Sequence, residues 1–201
     1  MIVVDVETTS LDTQNGSIVS IGALDLNEPT EQFYDECRIW EGAKVEDEAL
    51  AINGFSREEI ADLAKKTEGE LIASFVAWAC MRENMTLAAQ NVSFDFAYIQ
   101  EACKRARVDF PFAKRTVDVH SLVWMHMTQK GREAPVRNHH SVISLDFALE
   151  YCGLPKEPRP HNALTGAYAH AEVIARVAYN KSILPDYSSF PIPWTPLEAQ
   201  K

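Results

Sequence analysis

Apolar runs and their spacing divide the chain into predicted strands and helices. The chain opens on a wholly apolar run, so residues 1–7 are predicted to form a buried strand. Residues 17–26 and 31–39 predict two more strands, and the short, turn-rich spacers between the three favour an antiparallel meander. Short strands are also expected at residues 85–90 and near residues 115–118. The pattern therefore predicts a sheet whose first part is antiparallel.

Helical spacing of apolar residues appears between and after these strands. Ser56 and Glu59 have the spacing of a capping box, which predicts a short helix after the turn at Asn53-Gly54. The other predicted helices cover residues 68–83, 94–107, 119–127, 142–151 and 162–179, with a polar, mostly basic loop at 128–140. Trp78 and Trp124 lie on apolar helical stripes and are expected in the core. Strands that alternate with helices predict an α/β fold with a mixed sheet.

Length and composition fit one globular domain followed by a tail. The chain has 201 residues, of which 46% are hydrophobic, enough for a sizeable core. We assign residues 1–180 to the domain and residues 181–201 to a Pro-containing, extended tail that lies along the body or caps a partner. Scattered cysteines, the lack of a signal peptide and the lack of a long apolar span predict reduced thiols in a cytoplasmic protein with no membrane partner.

The net charge of −10 argues against a broad grip on duplex DNA, which normally needs a basic face. It favours a local grip on a short single-stranded end, with metal ions supplying much of the positive charge. The alternative is that the acidity only keeps the protein soluble.

Three acids and a histidine form the candidate site. Asp5 and Glu7 are two residues apart at the end of the first predicted strand, so their side chains point to the same face. Asp95 is expected in the first turn of a helix capped by Ser93. Such carboxylates suit Mg²⁺ or Mn²⁺, and His161, with an ordinary pKa near 6.5, suits proton transfer from water. Singly, these residues would be a solvated strand face, a capping acid and a loop histidine, so their combination carries the prediction.

In combination, the motifs resemble the DEDDh branch of the DEDD superfamily of 3′–5′ exonucleases. The matching motifs are Asp5-Val6-Glu7-Thr8-Thr9-Ser10-Leu11-Asp12, Gln90-Asn91-Val92-Ser93-Phe94-Asp95-Phe96 and His161-Asn162-Ala163-Leu164-Thr165-Gly166-Ala167. The resemblance covers residues 2 to about 179 and implies a ribonuclease H-like fold, a mixed five-stranded sheet flanked by helices. It implies two Mg²⁺ or Mn²⁺ ions held by acids that include Asp5, Glu7 and Asp95, with His161 as the catalytic base.

The resemblance also implies the substrate and its contacts. The expected substrates are 3′ ends of single-stranded DNA or RNA, released as nucleoside 5′-monophosphates, and a homodimer or a polymerase partner fits the family. The residues implied to contact the terminal nucleotide are Thr8, Thr9, Leu11, Asn91 and Phe94. A core role is the alternative for Phe94, and Asp118 is interpreted as structural.

Gly166 stands where the family pattern has the fourth metal-binding acid. Glycine offers no ligand and costs about 1 kcal/mol relative to alanine inside a helix. We therefore expect weakened metal binding and impaired activity, and we expect Gly166→Asp to raise the activity. The alternative is that His170 or Glu172 partly replaces the missing acid.

Two other functions share these residues. One is a non-catalytic module that binds nucleic acid or protein on the same fold, which Gly166 favours and the retained His161 disfavours. The other is a metal-dependent enzyme that acts on a different phosphodiester, such as a small nucleotide.

Overall fold

The computed structural model describes residues 1–195 and contains a mixed five-stranded sheet in the order β3-β2-β1-β4-β5. Its strands are β1 (Ile2–Thr8), β2 (Ile18–Asp25), β3 (Gln32–Glu36), β4 (Leu87–Ala89) and β5 (Val117–Asp118). β2 pairs antiparallel with β1 and β3, whereas β4 pairs parallel with β1 and β5. The predicted meander and mixed sheet are confirmed.

Helices cover both faces of this sheet. They are α1 (Asp47–Asn53), α2 (Arg57–Ala61), α3 (Glu68–Ala79), α4 (Val92–Ala106), α5 (Val119–Gln129), α6 (Leu145–Tyr151) and α7 (Ala163–Tyr179). The capping box at Ser56 and Glu59 is present, as predicted. Ser93 is not the cap of α4, which begins two residues earlier than expected, after Asn91 in a left-handed conformation with φ of 56°.

Two elements differ from the sequence prediction. The helix α1 was not predicted, and the predicted basic loop contains a hairpin of two short strands, β6 (Val136–Arg137) and β7 (His140–Ser141). Trp124 was wrongly placed in the core, because it is 41% exposed while Trp78 is buried. The buried residues of α5 lie along one face of the helix, and Trp124 lies beside that face rather than on it.

The two faces of β1 pack on different helices. Ile2, Val4 and Val6 belong to a core cluster that includes residues of α3 and α4. Val3, on the opposite face, belongs to a second cluster that includes residues of α5, α6 and α7. Asp5 and Glu7 follow Val3 at intervals of two and therefore point to the side of α7.

A glycine lets α7 approach the sheet closely. Gly22 lies opposite Asp5 in the β1–β2 register. A Cβ atom on Gly22 would lie 2.1 Å from the carbonyl carbon of Ala163, the first residue of α7. A side chain at Gly22 would thus push the helix away, and its absence allows α7 to reach Asp5.

The described part of the tail packs on α7. The Arg176 guanidinium donates hydrogen bonds to the carbonyl oxygens of Tyr187 at 2.9 Å and Phe190 at 3.0 Å. The tail was expected to be extended, but Pro185–Tyr187 form one 3₁₀ turn. Residues 196–201, which include Pro196, lie outside the described part.

All four cysteines are free thiols. Within residues 1–195, none of the helices combines the length and the apolar character needed to cross a membrane.

Candidate active site

The structure brings the three predicted acids together at the end of β1. Asp5 and Glu7 lie on one face of the strand, and Asp95 lies in the first turn of α4. The backbone N–H of Val6 donates a hydrogen bond to Oδ1 of Asp95 at 3.1 Å. Because Val6 separates Asp5 from Glu7, this bond holds the Asp95 carboxylate beside both of them.

Two of these acids, Asp5 and Glu7, border a cleft of about 320 Å³. Its lining includes Asp5, Glu7, Asp146, Glu157, His161 and His170. In the described part of the chain, no three His, Cys, Asp or Glu side chains already form a group that could hold a metal ion.

Burial and mutual repulsion disfavour the charged forms of the acids. Burial raises the pKa of Asp5 well above its usual range, and the charges of Asp95, Glu7 and Glu157 raise it further. Burial, followed by the charge of Glu157, raises the pKa of Glu7 to about 7. Burial also raises the pKa of Asp95, against the hydrogen bond from Val6. A divalent cation would remove this repulsion, and the oxygen donors suit Mg²⁺ or Mn²⁺.

His161 lies at the opposite wall of the cleft, just before α7. Its backbone N–H donates to the carbonyl oxygen of Ile52 at 2.9 Å, which ties it to α1. Its Nδ1 atom lies 3.8 Å from Oε2 of Glu157. Burial lowers the pKa of His161, and the nearby charge of Arg159 lowers it further. The imidazole is therefore neutral near pH 7 and can accept a proton.

Gly166 faces Asp5, and the space beside it is filled. A Cβ atom on Gly166 would lie 2.2 Å from Oδ2 and 2.8 Å from Cγ of Asp5. The Asp5 carboxylate therefore packs directly over the glycine. Any side chain at Gly166 would require Asp5 to move.

The two residues considered as substitutes for the missing acid have different positions. The Glu172 carboxylate is fully buried and accepts a hydrogen bond from Nε of Arg176 at 2.8 Å. It also accepts bonds from the backbone N–H groups of Ile183 and Leu184, so it is occupied elsewhere and the proposed substitution by Glu172 is wrong. His170 does line the cleft, with Nδ1 at 3.2 Å from the carbonyl oxygen of Val4.

A second, more apolar crevice of about 250 Å³ adjoins the cleft. Among the residues predicted to bind substrate, Thr8, Leu11 and Phe94 line it, and Leu11 is 81% exposed. Glu7 lines both the crevice and the acidic cleft. A terminal base in the crevice would thus place its phosphate near the acids.

The other two residues predicted to bind substrate, Thr9 and Asn91, do not line this crevice. Thr9 is fully buried, and its hydroxyl donates to the carbonyl oxygen of Lys44 and accepts from the N–H of Ser17. Asn91 is exposed at the start of α4. Asp118 is structural, as interpreted, because its carboxylate accepts hydrogen bonds from two backbone N–H groups, those of Val92 and His120.

Glu157, which lies between Glu7 and His161 in the lining, was not anticipated from the sequence. It occurs in a proline-rich segment, Pro155-Lys156-Glu157-Pro158-Arg159-Pro160, without helical or strand spacing. The one available signal was its position four residues before His161.

Two solved structures share this architecture. Escherichia coli exonuclease I, solved with a 5cy-dT13 oligonucleotide, aligns with a TM-score of 0.70 and 16% identity over 89% of this chain and 41% of its own. The nuclease domain of 3′hExo, described as a DEDDh family member bound to rAMP, aligns with a TM-score of 0.68 and 16% identity over 90% of this chain and 92% of its own. At these identities the likeness concerns the fold, and it confirms the ribonuclease H-like sheet.

Two sequence comparisons extend this likeness. A DNA polymerase III of the PolC type from Thermotoga petrophila is 25% identical over 177 residues, which are 87% of this chain and only 12% of that relative. The profile of the exonuclease family RNase_T matches residues 2–174, which include all three motifs. A match over most of the chain shows that this protein belongs to the RNase_T exonuclease family.

Proposed function

We propose that the protein is a 3′–5′ exonuclease that removes nucleoside 5′-monophosphates from single-stranded nucleic acid ends. The observation that carries this proposal is the meeting of the acidic cleft and the apolar crevice at Glu7. The crevice is more apolar than the cleft and suits the face of a base, and the acidic cleft beside it suits a phosphate with its cations. An enzyme that cuts one nucleotide at a time needs this arrangement.

The site residues have different roles in the proposed reaction. Leu11 and Phe94 would contact the terminal base, since every base has an apolar face that packs on such side chains. Asp5, Glu7 and Asp95 would hold Mg²⁺ or Mn²⁺. When bound, two such ions would supply an activated water and would stabilise the leaving oxygen. His161, which is neutral near pH 7, would accept the proton of that water.

The preference for single strands rests on charge and on the neighbouring structures. The net charge of −10 leaves little attraction for a long duplex backbone, so binding would be confined to the site. Exonuclease I was solved with a dT13 oligonucleotide. The match to a PolC-type polymerase supports a polymerase as a partner of this domain.

Gly166 supports the second candidate, a binding module on the same fold that does not cleave. If the fourth acid is simply lost, the chain would bind ends with impaired or no turnover, as the sequence suggests. His161 argues for the enzyme, because its placement at the cleft serves proton transfer and has no evident use in a binding module.

Cleavage of single-stranded DNA and RNA labelled at the 5′ end would separate these two functions. With Mn²⁺ or Mg²⁺, the enzyme would shorten both labelled strands stepwise from the 3′ end, and Asp5→Asn would abolish the shortening. Binding of the strands without shortening, under every metal condition, would favour the binding module. The released product would be identified as a nucleoside 5′-monophosphate by chromatography.

A further inference from the structure

One acidic side chain in the cleft has no counterpart in the family motifs. The side chain of Glu157 is only 6% exposed, and its Oε1 atom has no hydrogen-bond partner among the described residues. Its other oxygen lies 3.8 Å from Nδ1 of His161. Buried carboxylate oxygens normally accept hydrogen bonds, because an unpaired buried charge is strongly unfavourable. Glu157 is therefore a buried acceptor that lacks a donor.

The backbone fixes Glu157 at the wall of the cleft. Pro158 follows it directly and restricts the backbone of Glu157 to extended conformations. A few residues later, the hydrogen bond from the N–H of His161 to Ile52 anchors the segment on α1. The carboxylate is thus presented to the cleft by a restrained segment rather than by a free loop.

The neighbours of Glu157 in the cleft are mostly of the same charge. It lines the cleft together with Asp5, Glu7 and Asp146, and the nearest cationic side chain in the lining is the exposed Arg159. Buried acids that face one another without donors are the arrangement that a bound cation stabilises.

The wall formed by α7 does not provide an acid. Gly166 has no side chain, and the Asp5 carboxylate occupies the space above it. Glu172 is bound to Arg176 on another side of the helix. A fourth acid would therefore come from a different segment, and the other acids in the lining of the cleft are Asp146 and Glu157. Of these two, Glu157 has the buried oxygen without a hydrogen-bond partner.

We propose that Glu157 is the fourth acidic ligand of the divalent metal site, in place of an aspartate at position 166. This inference rests on the proposed function, because it concerns the same metal site. It changes the expectation about Gly166: the acid has moved from α7 to the preceding segment, and the chain retains a four-acid site. The longer glutamate side chain suits a ligand that reaches in from that segment.

Calorimetric titration of the full chain with Mn²⁺ tests this inference. Glu157→Gln keeps the shape of the side chain and removes its charge. We expect it to abolish one Mn²⁺ site or to weaken Mn²⁺ binding at least about tenfold. Even the replacement of a residue that only hydrogen-bonds to a metal ligand typically lowers metal affinity by this factor. Glu150→Gln is the matched control, because Glu150 is an exposed acid on α6, outside the cleft lining. It should bind Mn²⁺ like the unmodified chain.

A second measurement excludes unfolding as the cause of a loss. In the absence of metal, Glu157→Gln should melt at or above the temperature of the unmodified chain, because it removes an unpaired buried charge. Weak Mn²⁺ binding together with an unchanged or raised melting temperature would support the inference.

The outcomes separate this inference from the proposed function. Unchanged Mn²⁺ binding in Glu157→Gln, with binding lost in Asp5→Asn, would overturn the role of Glu157 and leave the exonuclease proposal intact. If Asp146→Asn loses Mn²⁺ binding and Glu157→Gln does not, the fourth ligand is Asp146, and the proposed role of Glu157 is again overturned. If the unmodified chain binds no Mn²⁺ and cleaves no strand, both proposals fail.

Discussion

Two groups of buried acids lie along α7, and their surroundings are opposite. Near the middle of the helix, Glu172 and Arg176 are both fully buried, and every oxygen of Glu172 accepts a hydrogen bond. Near its beginning, the helix faces Asp5, and Glu157 across the cleft has an oxygen without a partner. The first group is saturated with donors, whereas the second consists of like charges.

The difference separates structural acids from functional ones. The donors around Glu172 include the backbone of residues 183 and 184, so this ion pair fixes the start of the tail. The charged acids of the cleft repel one another in the metal-free protein, and burial together with this repulsion raises the pKa of Asp5 and Glu7. Burial alone therefore does not distinguish the two groups; what distinguishes the candidate site is that its buried acids face like charges.

Replacing an acid of the cleft should have the largest effect. We expect Glu7→Gln to lower the rate of single-strand cleavage at least about 10³-fold, because metal-bound charge stabilisation is worth several kcal/mol. The same change should raise the melting temperature of the metal-free protein, because it removes a repelled charge. Thermal unfolding in EDTA and a timed cleavage assay measure the two effects. A rate within about tenfold of the unmodified chain would contradict the role of Glu7.

Replacing the saturated acid should do the reverse. Glu172→Gln leaves the charge of Arg176 buried without its partner, which typically costs about 3–5 kcal/mol. Urea unfolding should show this loss, and added Mn²⁺ should not compensate for it beyond its effect on the unmodified chain. The folded fraction should cleave at an unchanged rate, since Glu172 does not line the cleft. A loss of stability below about 1 kcal/mol would show that the pair is not structural.

The pH dependence of stability follows from the raised pKa of Glu7. Its pKa is about 7 in the folded protein against 4.5 ordinarily, so the folded state holds the proton over this interval and the unfolded state does not. The stabilising contribution is full below pH 4.5 and is lost as the pH rises through 7, by at most about 3 kcal/mol. Glu157 shifts in the same direction, to about 7.

Urea unfolding in EDTA between pH 5 and pH 8 measures this slope. Glu7→Gln is the matched comparison, because it removes the titration of Glu7 together with the part of the raised pKa of Asp5 and Asp95 that the charge of Glu7 causes, so its slope should be shallower. Mn²⁺ should stabilise the unmodified chain more at pH 8 than at pH 5, since a cation binds the deprotonated acids. Identical slopes in the two proteins would show that Glu7 is not repelled.

A pair of substitutions at Gly166 gives the smallest but most discriminating effect. Gly166→Ala and Gly166→Asp both displace the Asp5 carboxylate, but only the aspartate supplies a new oxygen. We expect the alanine to lower cleavage about 10–100-fold through the misplaced ligand, and the aspartate to recover part of that loss. A rate of Gly166→Asp far above that of the unmodified chain would show instead that the natural site is incomplete and that Glu157 is not its fourth acid.

Local patterns in the sequence were sufficient for most of the fold. The apolar run before Asp5 and the helical spacing of residues 162–179 predicted β1 and α7, because both elements are largely buried and therefore mostly apolar. The short helix α1 escaped prediction because its N-cap, Glu46, makes no side-chain cap bond and the helix buries few residues. The strands β6 and β7 are two residues each and mostly exposed, so they leave no apolar pattern.

Only the site residues that belong to the sequence motifs could be predicted. The spacing of Asp5 and Glu7 and the order of the motifs indicated the acids and His161. That Asp5 fills the space above Gly166 depends on how closely α7 approaches β2, which no local pattern shows. Glu157 depends on how the proline-rich segment folds back toward β1, a contact between parts of the chain about 150 residues apart.

The most direct test is to locate manganese in crystals of the full chain by its anomalous scattering. We expect anomalous peaks inside the cleft, about 2.0–2.3 Å from carboxylate oxygens of Asp5, Glu7 and Glu157, with Asp95 in the same cluster. Crystals of Asp5→Asn grown with the same Mn²⁺ should lose at least one of these peaks. Anomalous peaks only at exposed acids, with none in the cleft at saturating Mn²⁺, would contradict the assignment of the cleft as the metal site of this protein.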